Sequence, residues 1–220
     1  MNKARTVLLK IRRIAVASFK NALRLHEDSV LMFENDRIPS ALHTSILAIE
    51  EIGKYFMHED VWFHNRHGAK WTIQDMQKFL SGTYSHTSKQ RWFAGHADSR
   101  FISKPLLKIL LNGDLERIKQ KAIYVGIPRK GRNIDLEKRL STPSSISRRQ
   151  VENFITMFND FLVDLAVGVR KGVYSLDIPE IDDWLAEPEF ELHFVMLWPK
   201  MRPVTKKQLA RMQMHDDAER

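Results

Sequence analysis

The chain has 220 residues, 43% of them apolar and 28% charged, with a formal net charge of +8 and a pI of about 9.7. That is enough apolar material for one domain with a packed core, or one domain with an appendage. The absence of cysteine excludes disulfides, thiolate zinc sites and cysteine nucleophiles. The positive balance suits a polyanionic partner such as nucleic acid. No signal-peptide core develops and no stretch approaches the ~18 apolar residues of a spanning helix, so a cytoplasmic protein without a membrane partner is expected.

Apolar residues at helical spacing (Leu8, Ile11, Ile14 or Ala15, Ala22, Leu25, then Val30–Phe33) predict a first helix over residues 7–36. The segment NDRIPS breaks it. Pro39 suits the first turn of a second helix, Ser40–Phe63, where its missing N–H costs nothing. NRHGAK is a turn. Thr72 and Asp75 form an N-terminal capping pair for a third helix that runs to Tyr84, with an extension past His86 to Trp92 that Gly95 interrupts. Two short helices flank Asn112-Gly113-Asp114 and end in the apolar patch AIYVGI. Residues 126–146, rich in Pro, Gly, Ser and basic side chains, read as a loop.

Ser147 and Gln150 make a capping box for the clearest helix of the chain. Its stripe Val151, Phe154, Ile155, Phe158, Leu162, Leu165 and Val169 faces a core, and Gly172 ends it. Beyond it Pro179, Pro188, Pro199 and Pro203 punctuate an irregular extension with short helices, in which FELHFVMLW (190–198) reads as a strand. The expected class is all-α, a helical bundle over residues 1–172 with a C-terminal extension over 173–220.

The second helix is apolar nearly all round, so it should be buried, yet Glu50, Glu51 and Lys54 sit in its middle. Residues 42, 45, 46, 49, 52, 53 and 56 share its apolar face. His43, Leu47, Glu50 and Lys54 fall on one neighbouring stripe, and Thr44, Glu51, Tyr55 and His58 on another. Buried carboxylates are costly unless paired. Either Glu50 and Lys54 satisfy each other at i,i+4 while Glu51 bonds another helix, or these groups brace a site.

The tract SHTSKQRWFAGHADSR places His86 and Lys89 at i,i+3, followed by Gln90, Arg91 and His96. On an unbroken helix Arg91 and His96, at i,i+5, point apart; a break at Gly95 would let them converge. Trp92 and Phe93 suit either base stacking or a core. His58, His64 and His67 are too loosely spaced to indicate a metal, and no metal or cofactor is expected. No phosphate-binding glycine loop or nucleophile elbow occurs. Arg129, Lys130 and Arg132, with the pairs Lys138–Arg139 and Arg148–Arg149 and the Lys200–Arg211 tract, are candidates for tracking phosphates.

The run A-L-x-x-S-I-L-A-I-E-E-I-G-K (41–54), then S-H-x-x-K (85–89) and K-A-I-Y-V-G (121–126), resembles the AbiV family of bacterial abortive-infection proteins, in the HEPN superfamily, over roughly residues 15–172. Gly126 departs from that pattern, which more often has an acidic residue there. The resemblance implies a helical bundle that forms homodimers; the apolar load of residues 42–56 points the same way. It also implies metal-independent RNA cleavage by an R-x4–6-H motif, a spacing that Arg91 and His96 satisfy. His96 would act as acid or base, since histidine titrates near neutrality, and Arg91 would stabilise the phosphorane. His86 with Lys89 is a rival pair that fits the family pattern better, with Glu50, Glu51 and Lys54 in support. The implied targets are tRNA, rRNA or mRNA, and the implied trigger is a phage-encoded protein. The alternative is a non-catalytic helical protein that blocks translation, or partners a defence component, by binding.

Overall fold

The computed structural model describes residues 3–69, 71–97, 102–126, 129–130, 133–134, 137, 140 and 142–200. The fold is all-α: α1 (Lys3–Glu34), α2 (Ile38–Arg66), α3 (Ile73–Leu80), α4 (His86–His96), α5 (Lys104–Asn112), α6 (Asp114–Ile123), α7 (Arg148–Arg170), α8 (Pro179–Ala186) and α9 (Pro188–Leu197). The other regular structure among the described residues is two single-turn 3-10 helices and a two-residue antiparallel pair, β1 (Arg129–Lys130) with β2 (Asn133–Ile134), inside the expected loop. Among the described residues no helix is long and apolar enough to cross a membrane. Two compact units, Met1–Ile155 and Thr156–Arg220, divide the chain, and the division falls inside α7. The boundary read from the sequence, at 172, lies just past the end of that helix.

In the first unit α1 and α2 form the framework. Ile11, Ala15, Phe19, Ala22, Val30 and Phe33 of α1 are buried, as are Leu42, Ile46, Ile49, Ile52 and Phe56 of α2. Their three- and four-residue steps make continuous seams. Ile11, near the start of α1, shares a cluster with Val61, near the end of α2, and with Met76 of α3, so α1 and α2 run antiparallel. Asp36, in left-handed backbone at φ 59°, turns the chain between them. Arg148, at the start of α7, ties down this turn through a 2.7 Å bond to Asp36 Oδ1 and by lying over the Phe33 ring.

The Thr72–Asp75 capping box forms as expected. The third predicted helix then splits. Residues Ser81–Tyr84 tighten into a 3-10 turn, and Ser85 in extended backbone caps a new helix, its Oγ accepting from the Ser88 N–H. The predicted interruption at Gly95 does not occur. α4 continues to His96, because Gly95 keeps negative φ on an exposed face with open space around it. The turn at Gly113, φ 78°, separates α5 from α6 where it was expected.

In the second unit Asn159 Nδ2 donates to the Phe194 carbonyl, and Trp198 Nε1 donates to Thr156 Oγ1. The strand expected over 190–198 is instead helix α9. Pro188 opens it, Glu189 and Glu191 suit the positive end of the helix dipole, and Phe190, Phe194 and Trp198 are buried at four-residue steps, a helical and not a two-residue period. Residues 201–220, including the basic tract from Lys200 to Arg211 apart from Lys200 itself, lie outside the described residues.

Candidate active site

Glu50 is a buried carboxylate with partners on two other helices. It projects from the middle of α2 and is 2% exposed. Oε1 accepts from Gln90 Nε2 of α4 and from Lys119 Nζ of α6, both at 2.9 Å. Oε2 lies 2.7 Å from His86 Nδ1 and 3.8 Å from Lys89 Nζ, both on α4. One buried carboxylate thus ties three helices together. Its burial is tolerable because each oxygen faces donors, two of them charged.

α4 can come this close because residue 53 is glycine. A Cβ there would lie 1.8 Å from the Lys89 carbonyl oxygen. One turn of α4 then delivers His86, Lys89 and Gln90 to the same side, at i, i+3 and i+4. Lys89 and Gln90 are buried, while the His86 side chain is 48% exposed.

Lys119 completes the cluster. Its ammonium is also 2.6 Å from Glu116 Oε2 and 3.1 Å from His86 Nδ1. Burial pushes the Glu116 carboxyl up, but bonds from Lys119 and Gln120, with the charges of Lys119 and His86, hold it below the ordinary carboxylate value. His43 lies two turns before Glu50 on the same stripe of α2. Burial, then the Lys119 charge, lowers it against the opposing pull of Glu50 and Glu116.

The 2.7 Å approach of His86 Nδ1 to a carboxylate oxygen needs a proton between them, so Nδ1 carries it. In neutral His86 the lone pair is then on Nε2, and Nε2 is the atom able to exchange a proton with a ligand. Glu50 fixes the tautomer and the ring orientation.

The other sequence candidates are placed elsewhere. Lys54 pairs with Glu51 at 3.4 Å and not with Glu50, the i,i+4 partner considered from spacing. The i+4 position is lost because Glu50 turns inward to α4 and α6. Arg91 is exposed and donates from Nε to the Leu111 carbonyl. The His96 ring stacks on Phe56 at 3.9 Å and on Trp92 at 5.5 Å, and its Nδ1 bonds the Trp92 carbonyl. Arg91 and His96 do not bond each other, but with Trp92 and Gly95 they line one shallow open depression. Phe93 is a core residue. Arg129 and Lys130 lie on β1, and their side chains, like Arg132, lie outside the described residues.

His58 bonds the Lys54 carbonyl, His64 faces Asp60, and His67 bonds the Phe63 carbonyl, so these three do not converge. Among the described residues the group with metal-ligand spacing is Glu50, His86 and Glu116. Glu116 and Lys119 had no signal in the sequence beyond their own i,i+3 spacing.

Three histidines are held below 6.5, the ordinary histidine value: His43, His58 and His96, each chiefly by burial. Groups lowered in this way bind fewer protons folded than unfolded. Their contribution to stability is complete above 6.5 and is lost as pH falls through the folded values. The melting temperature should therefore fall as the pH is taken from about 8 to about 5, and His58→Gln, which removes one such group, should flatten that slope. A flat melting profile across this range would contradict the lowering of these three groups.

The fold and this cluster define a helical protein with a carboxylate-anchored histidine. The family model described as AbiV, of HEPN type, matches residues 10–162, and the chain belongs to that family. Family membership makes it an abortive-infection defence protein. No curated protein and no solved structure matches the chain.

Proposed function

We propose that the chain is a HEPN-type ribonuclease toxin that halts growth of phage-infected cells, with His86 as a proton-transfer group. The observation that supports this is the Glu50–His86 bond, which leaves Nε2 of a half-exposed ring free to act. Nε2 takes the proton of a ribose 2′-OH, or gives one to the leaving 5′ oxygen. The attack closes a 2′,3′-cyclic phosphate, which restricts the substrate to RNA. Lys89, on the same turn of α4, brings positive charge to the developing phosphorane. Arg129, Lys130 and Arg132 track the RNA backbone. The substrate is tRNA, rRNA or mRNA, the active form is a homodimer, and a phage-encoded protein releases the activity. The apolar residues 42–56 do not argue for that dimer, since most are buried within the chain.

A second reading places the chemistry at Arg91 and His96, favoured by the depression they line. Induced expression, alone and during phage infection, with total-RNA analysis of wild type, His86→Ala and His96→Ala, distinguishes the two. Discrete fragments with cyclic phosphate ends, resistant to EDTA and reduced about 10²–10⁴-fold by His86→Ala alone, are the expected result. Loss in His96→Ala alone moves the site to the depression. Growth arrest with intact RNA in all three means that the protein acts by binding.

A further inference from the structure

The Glu50–His86–Glu116 group has the composition and spacing of a three-ligand divalent-metal site: two carboxylates and an imidazole whose ligand atoms all lie within 4.8 Å of one another. A cation already stands among them. Lys119 Nζ is 2.9 Å from Glu50 Oε1, 2.6 Å from Glu116 Oε2 and 3.1 Å from His86 Nδ1, and the Lys119 side chain is 4% exposed. We propose that the Lys119 ammonium is a tethered counter-cation occupying a metal-type cage, and that it acts as a positioning residue for His86.

The two kinds of cation differ in what they do to the imidazole. A metal bound in the cage would take the Nδ1 lone pair and force the ring proton onto Nε2. His86 could then no longer accept a proton there. An ammonium balances Glu50 and Glu116 by donating hydrogens to them and has no empty orbital for nitrogen. Nδ1–H remains directed at Glu50 and Nε2 keeps its lone pair. Lys89, at 3.8 Å, gives Glu50 a second positive neighbour, and Gln90 a neutral donor. His43, lowered by burial and by Lys119 itself, adds no charge. With the two carboxylates and the two lysines ionised, the cluster is neutral without any added ion.

Only the role given to His86 rests on the ribonuclease reading; the occupancy of the cage is tested without any cleavage assay. Zinc titration by calorimetry, with melting curves, compares wild type, Lys119→Ala and Lys119→Ala/His86→Ala. Lys119→Ala should bind one zinc per chain on the order of tenfold or more tighter than wild type, and zinc should raise its melting temperature. The double variant should lose both effects. Equal zinc affinity in wild type and Lys119→Ala would overturn the proposal. Should Lys119→Ala fail to fold even with zinc, nitrogen-15 NMR of the wild type decides. A slowly exchanging Lys119 ammonium signal, with His86 in the Nδ1–H tautomer, is expected; a freely exchanging ammonium or an Nε2–H tautomer refutes it. Those outcomes are independent of whether RNA is cut.

Discussion

Glu50→Ala should destabilise the protein by about 3–5 kcal/mol, because it takes the carboxylate partner from the buried Gln90 amide and one of two carboxylates from the buried Lys119 ammonium. Domains of this size are stable by only about 5–15 kcal/mol, so the urea midpoint should fall far, or the variant should not fold at the growth temperature. His86→Ala is the contrasting substitution. That ring is half exposed and gives Glu50 one donor of several, so stability should change by at most about 1–2 kcal/mol while RNA cleavage is lost. The pair separates structure from chemistry: α2 needs the carboxylate to hold α4 and α6, and the proposed reaction needs the imidazole. A Glu50→Ala protein as stable as wild type would mean that water reaches Lys119 and Gln90 in its place.

Gly53→Ala makes an equally large claim, and here the sign is the test. On helix propensity alone, alanine in place of a mid-helix glycine stabilises by about 1 kcal/mol. The new Cβ, however, would meet the Lys89 carbonyl oxygen at 1.8 Å and its carbon at 2.6 Å, and backbone cannot rotate aside as a flexible side chain does. α2 and α4 must separate, at a cost of about 1–3 kcal/mol. The separation also stretches the 2.7 Å bond from His86 to Glu50, so the proposed nuclease activity should fall with stability. A stabilised, active Gly53→Ala protein would show that the close approach of the two helices is not required.

These two residues explain what the sequence could and could not disclose. An apolar helix interrupted by Glu50 announced a buried, partnered carboxylate, and the steps of α2 and α7 gave their core faces, because each is a local period; in α1 Leu8 and Leu25 are only half-buried, and Phe19 and Leu23 belong to the seam. Glu50's partners were not local. His86 could be named from its own motif, but nothing in the spacing linked it to Glu50, and Lys119 lies on a short helix with no distinguishing pattern. The misread elements failed for the opposite reason, when a local cue was overvalued. Gly95 lies within the last turn of α4, where a glycine need not end a helix. The aromatic residues of 190–198 suggested a strand until their four-residue step was set against Pro188.

The meeting of three helices on one carboxylate has a consequence for how relatives are to be recognised. Gln90, His86 and Lys119 depend on Glu50 across separations of 40, 36 and 69 residues, so none of these positions is free to change alone. A substitution at one invites a compensating substitution at another, far away in the chain. The durable signature of this architecture is therefore a set of correlated positions spread over α2, α4 and α6, and a divergent homologue is better sought by that covariation than by the contiguous run around Glu50.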